Sequence, residues 1–169
     1  AALEVTRHRA GDLLFLGFER PGGDSDELAT IRLPQPAFVY DCRQGESLGK
    51  RAEIKATFAG KQARVYCLSP LPLAAPQLAV QAAAAKPGAA VGYTVALKGG
   101  ADTRRQVVHL TVLAPDGTEY RDYERNLLLG SKPATGSFQL ALNDQTGTWR
   151  VIARDVASGQ AAEASFAVK

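Results

Sequence analysis

Short runs of apolar and β-branched residues, each closed within a few positions by turn chemistry, extend along this whole chain and leave it few ways to fold. In the first half LEVTRHR, LLFLGFE, LATIRLP, AFVYDC, AEIKATF and QARVYCLS join β-branched or aromatic residues with near alternation. RAGD, RPGGDSDE, PQP, RQGE and AGKQ separate them with the residues that turns require. Such spacing leaves no room for crossover helices, so the strands are expected to pair mainly antiparallel.

SPLPLAAPQLAV follows, with Pro70, Pro72 and Pro76. Proline fixes φ and removes a backbone donor, so this run reads as a stiff connector. A boundary near Ala75 gives two expected domains, residues 1–75 and 76–169. In the second, QLAVQAAA, AVGYTVALK, QVVHLTVLA, GSFQLAL, GTWRVIAR and AEASFAVK read as strands, with AKPGA, KGGADTRR, APDGT, LNDQTG and DVASGQ between them. Ala82 to Ala85 are followed too soon by Pro87 and Gly88 for a stable helix. The stretch EYRDYERNLLLGSKPATG, residues 119–136, is interrupted by Gly130 and Pro133 and reads as a long irregular connection. No fixed-period repeat relates the halves. The expected fold class is all-β, two tandem antiparallel β-sandwich (immunoglobulin-like) domains.

Twenty Lys and Arg stand against seventeen Asp and Glu in 169 residues, and no basic run exceeds two in succession. A nucleic-acid binder neutralises several phosphates with clustered cations, so no nucleic-acid partner is expected. No stretch reaches the ~20 apolar residues that span a bilayer as a helix. The chain contains no Met and opens on AALEV, which already reads as a strand. It is therefore expected to be a processed protein or a segment of a longer one.

Chemistry-bearing residues are few. His8 stands between Arg7 and Arg9, and His109 lies in the apolar run VVHLTV, where a sheet role is the expectation. Two cysteines and two distant histidines match no zinc spacing, so neither metal nor cofactor is expected. DSDE, Asp24 to Glu27, offers oxygens in succession but lacks the alternate ligands of a calcium loop and reads as a solvated turn. Asp116 and Asp155 sit in turn sequences and are expected to be structural. GESLGK has the wrong spacing and setting for a phosphate loop, and no GxSxG nucleophile turn occurs. No catalytic residue is assigned.

Trp149, alternating with Val151 and Ala153, is expected to anchor a sandwich core. Tyr120 and Tyr123, in the long connection with Arg121 and Arg125, are the candidates for an exposed ligand-binding surface. Cys42 and Cys67 both lie in apolar strands whose side chains could enter one core. Two readings stay open there, a disulfide or two buried thiols.

VTRHRAGDLLFLGFER, LPQPAFVYDCRQGESLGK and ARVYCLSPLP carry a resemblance across residues 2–73 to the accessory β-sandwich that follows the catalytic barrel in β-galactosidase-like glycoside hydrolases. KPGAAVGYTVAL, VVHLTVLAPDG, GSFQLAL and GTWRVIARDVASGQ resemble the immunoglobulin-like modules of large secreted bacterial proteins, of macroglobulin type. The catalytic glutamates of the first family belong to its barrel, and the thioester Cys-Gly-x-x-Gln segment of the second has no counterpart in this sequence. Together the resemblances imply a non-catalytic accessory or spacer pair from a larger, exported (periplasmic or extracellular) bacterial protein related to carbohydrate degradation. Its partners would be the neighbouring domains. The alternatives are a module that binds a glycan or a protein through the loop tyrosines, and a small Cys-dependent hydrolase.

Overall fold

The structure is a computed structural model that describes residues 3–22, 25–59, 62–99 and 105–169. Parts of three expected turns, RPGGDSDE, AGKQ and KGGADTRR, and Asp24 of the calcium reading lie outside the described residues, as do the first two residues of AALEV. The fold is all-β, built from antiparallel sheets with one short parallel pairing. It divides into two compact units, residues Ala1–Leu73 with Ala157–Gly159, and residues Ala74–Val156 with Gln160–Lys169.

The first unit is a five-stranded antiparallel sheet of β1 (Glu4–Ala10), β2 (Leu13–Glu19), β3 (Glu27–Asp41), β4 (Glu46–Phe58) and β5 (Ala63–Ser69), in the order β1-β2-β5-β3-β4. Two expected strands, LATIRLP and AFVYDC, form one strand, β3, that runs through both prolines. Between Arg32 and Ala37 its pairing with β4 shifts register. Pro34 and Pro36 fall in that interval, where β4 asks for no donor, so the strand tolerates them. PQP is thus a bulge within a strand and not a turn.

This one sheet encloses its own core. Strands β2 and β4 are three intervals apart, about 14 Å in a flat sheet. Yet the rings of Phe18 on β2 and Phe58 on β4 meet edge to face at 6.2 Å. The sheet therefore curls, bringing Leu16, Phe18, Val39, Ile54, Phe58 and Tyr66 together on its concave side.

In the second unit, β6 (Pro76–Val80), β8 (Ala90–Leu97) and β11 (Ala134–Gln139) form a three-stranded sheet in the order β11-β8-β6. A five-stranded sheet runs β10-β9-β12-β13-β7, from β7 (Ala84–Ala85), β9 (Gln106–Leu113), β10 (Arg125–Leu129), β12 (Gly147–Asp155) and β13 (Ala161–Val168). Strict alternation supplies the core. Val91, Val95, Val108, Leu110, Val112, Trp149, Val151 and Ala153 are all fully buried. Pro76 opens β6, the strand position that needs no preceding donor. The connection of residues 119–136 is less irregular than its composition implies: it holds a short 3-10 turn, Arg121–Tyr123, and the strand β10.

Candidate functional site

VYDCRQGESLGK forms the hairpin between β3 and β4. The Asp41 carboxylate accepts hydrogen bonds from the backbone N–H of Arg43 (3.0 Å) and Gln44 (3.1 Å), and its second oxygen lies 3.6 Å from the Arg64 guanidinium. Gly45 completes the turn at φ 64°, where a Cβ would be strained. The aspartate holds a turn.

Cys42 and Cys67 are both thiols. Register explains why they are not bonded: Cys67 faces Tyr40 across β3 and β5, whereas the Cys42 N–H donates to the Val65 carbonyl. The thiols thus sit on a diagonal, where Cα atoms lie about 7–8 Å apart, beyond the reach of a disulfide. They border the same apolar cluster with Leu13, Tyr40 and Leu73, and the Cys42 thiol faces the Tyr40 carbonyl at 3.9 Å. Within this unit Cys67 stands opposite Phe15, and Phe15 opposite His8. About 10 Å of sheet and a phenyl ring separate that thiol from that imidazole, too far for a nucleophile and its base.

The loop tyrosines are placed differently from expectation. Tyr123 is buried, and its ring stacks on Tyr120 (5.6 Å) and Phe138 (5.2 Å) and tilts against Trp149. Its hydroxyl donates to the buried Asp144 carboxylate (2.7 Å) and accepts from the Ala141 N–H (3.0 Å), while Asp144 accepts from that same N–H at 2.8 Å. Burial foremost, then the hydrogen bond to Asp144, pushes the Tyr123 phenol up to about 12. Tyr120 is half-buried, edge-on to Trp149 at 5.0 Å, and the Trp149 indole donates to the Gln145 carbonyl. The pair is a core anchor that fastens the loop around Asp144. Arg121 and Arg125 are exposed, and Arg125 donates to the Asp122 and Glu124 carbonyls, closing the 3-10 turn.

Asp116, Asp155 and Glu27 make structural contacts. Asp116 accepts from the Thr118 N–H and from Gln145, whose hydrogen bond foremost holds the Asp116 carboxyl below its ordinary range. Asp155 is wholly buried and accepts from Gln106, which also bonds both backbone groups of Ala74. Of DSDE, Glu27 pairs with the buried Arg20 at 2.8 Å, and Arg20 also donates to the Ser25 carbonyl.

An open surface with chemical character lies in the first unit. By register Val5, Arg7 and Arg9 of β1 stand opposite Phe18, Leu16 and Leu14 of β2, so they occupy the concave side that elsewhere is core. There they border a groove of about 620 Å³. Its floor is apolar, from Leu14, Leu16, Phe18, Ile31, Leu33 and Leu68, and its rim carries Arg7, Arg9 and Arg32. Among the described residues, none of these three arginines has a carboxylate within salt-bridge distance. The sequence shows the ingredients, since VTRHR alternates valine, arginine and arginine on one face. What it does not show is that the sheet curls over that face.

No protein-family model and no curated protein matches the chain. Among solved structures it is similar to trypsin-activated alpha-2-macroglobulin from Escherichia coli, at 16% identity and a TM-score of 0.49 over 98% of this chain and 13% of that one. It is similar to a Salmonella alpha-2-macroglobulin reacted with methylamine at 18% identity and a TM-score of 0.45, over 99% of this chain and 12% of that one. A polysaccharide lyase is similar at 8% identity and a TM-score of 0.37, over 99% of this chain and 26% of that one. The chain thus spans 12% to 13% of the length of these macroglobulins. At such values the likeness carries no argument about activity, and the glycoside-hydrolase resemblance of residues 2–73 rests on its strand and turn motifs.

Proposed function

We propose that this chain is a non-catalytic accessory pair of β-modules within a larger, exported protein related to carbohydrate degradation, and that the first module docks a neighbouring domain through the groove beneath β1. The observation that carries this reading is the apolar floor of Leu14, Leu16, Phe18 and Leu68 beneath three arginines with no acidic partner among the described residues. Apolar floor and cationic rim together select one kind of occupant, an extended segment with alternating apolar and acidic side chains. The apolar residues would enter the groove and the carboxylates would meet Arg7, Arg9 and Arg32. The carbohydrate link and export rest on the sequence resemblances.

Arginines on the inner face of an edge strand also discourage strand-to-strand aggregation, a purely protective role. Titration with anilinonaphthalene sulfonate, an anionic aromatic dye, separates the two. Docking predicts saturable fluorescence that weakens about tenfold or more in Arg7→Glu/Arg9→Glu and at high salt. Equal dye binding by wild type and variant would leave only the protective role.

A further inference from the structure

On the solvent face of the second unit, three potential ligands converge. His109 projects from β9, Glu124 immediately precedes β10, and Glu119 ends the turn that leaves β9, where it forms an isolated bridge with Leu113. Their ligand atoms all lie within 4.8 Å of one another, and His109 Nε2 lies 3.8 Å from the Glu124 carboxylate. At that distance the imidazole and carboxylate face each other without a hydrogen bond.

Imidazole orientation gives the cluster its direction. Nδ1 of His109 lies 2.9 Å from the side-chain oxygen of Asn126, its cross-strand partner on β10. With the Asn126 side-chain oxygen accepting, Nδ1 carries the proton and the Nε2 lone pair is turned towards the carboxylates. This is the arrangement by which metal-bound histidines are fixed in tautomer and rotation. Arg154, opposite His109 on β12, adds a cation with which a metal must compete.

We propose that His109, Glu119 and Glu124 form a binding site for a divalent transition ion of the zinc class. One imidazole nitrogen and two carboxylate oxygens suit such an ion, with water in the fourth position. A tetrahedral zinc ion sets its ligand atoms about 3.4 Å apart, so small side-chain rotations close the site. Glu119 is exposed and Glu124 half-buried, so both can make them. The ion would tie the middle and the far end of the connection between β9 and β10 to β9 itself, raising the stability of that segment in proportion to occupancy. The site does not depend on the accessory reading.

The chain supplies its own control, because His8 is its other histidine and lies on β1. Calorimetric titration with zinc chloride is expected to give one site per chain, with zinc raising the melting temperature. His109→Ala abolishes both effects, Glu119→Gln and Glu124→Gln each weaken binding, and His8→Ala leaves it unchanged. Asn126→Ala, which removes only the orienting oxygen, is expected to cost about tenfold in affinity. Absence of saturable binding, loss in His8→Ala, or retention in a folded His109→Ala protein would each overturn the assignment. Folding of every variant is checked by Trp149 fluorescence, and the exposed Glu119→Gln variant keeps the test valid if His109→Ala does not fold.

Discussion

The two units solve the same problem, burying a β-sheet face, with different resources. The second has two sheets, and apolar residues from β8, β9, β12 and β13 close on one another until Val91, Val95, Trp149 and Val151 are all fully buried. The first has one sheet, which must curl to cover itself, and its edge strand β1 presents Val5, Arg7 and Arg9 where another apolar row would finish the core. One unit is closed and fastened by buried hydrogen bonds. The other keeps an open apolar groove beneath cations. This contrast supports the docking proposed for the first unit, although the chain's aromatic loop points the other way when read as sequence.

The contrast breaks most readily at Trp149. Trp149→Ala should remove about 3–5 kcal/mol from the second unit, as cavity-forming substitutions of large aromatics do. Arg7→Ala, on the concave side of the first unit, should change stability by less than about 0.5 kcal/mol. Chemical denaturation measures both. A comparable loss at Arg7 would mean that β1 completes a core there and borders no groove.

A smaller effect is expected at Tyr123. Replacing it with Phe keeps the ring stack but removes the hydroxyl from Asp144 and Ala141, at a cost of about 1–2 kcal/mol. The phenol is raised from 10.0 to about 12, so its folded state holds the proton more tightly than the unfolded chain does. Its contribution is present in full below pH 10 and is lost as pH rises from 10 to about 12. Tyr123→Phe should flatten that alkaline loss in denaturation midpoints. A residual slope is expected from Tyr66, which burial foremost also holds above its ordinary value. An unchanged slope in the variant would contradict the buried placement of the hydroxyl.

The smallest effect is at the bulge of β3. Pro34→Ala should lower stability by under about 1 kcal/mol, acting through the freedom it restores to the unfolded chain. A larger loss would show that the proline packs into the strand more closely than its exposed position implies.

Much of this was legible in the sequence. Alternation in GTWRVIARD identifies Trp149 as core, and the strand-and-turn rhythm gives an all-β fold. Local pattern failed where partners distant in sequence decide the outcome. RNLLL has no alternation, yet β10 forms because the edge of β9 is available to it. Tyr120 and Tyr123 sit in a polar stretch that reads as exposed, but Phe138, Asp144 and Trp149 draw them inward. The bulge that carries β3 through two prolines depends on the register of β4, and the grouping of His109 with Glu119 and Glu124 depends on β10. No spacing rule contains either.

Residue-resolved amide shifts during titration with anilinonaphthalene sulfonate test the central claim most directly, because they report where the open surface lies. The largest shifts are expected at Val5, Arg7, Leu14, Leu16 and Leu33, with Trp149 and its neighbours unmoved. Shifts concentrated around Tyr120, Tyr123 and Trp149, with the β1 and β2 amides unmoved, would contradict it.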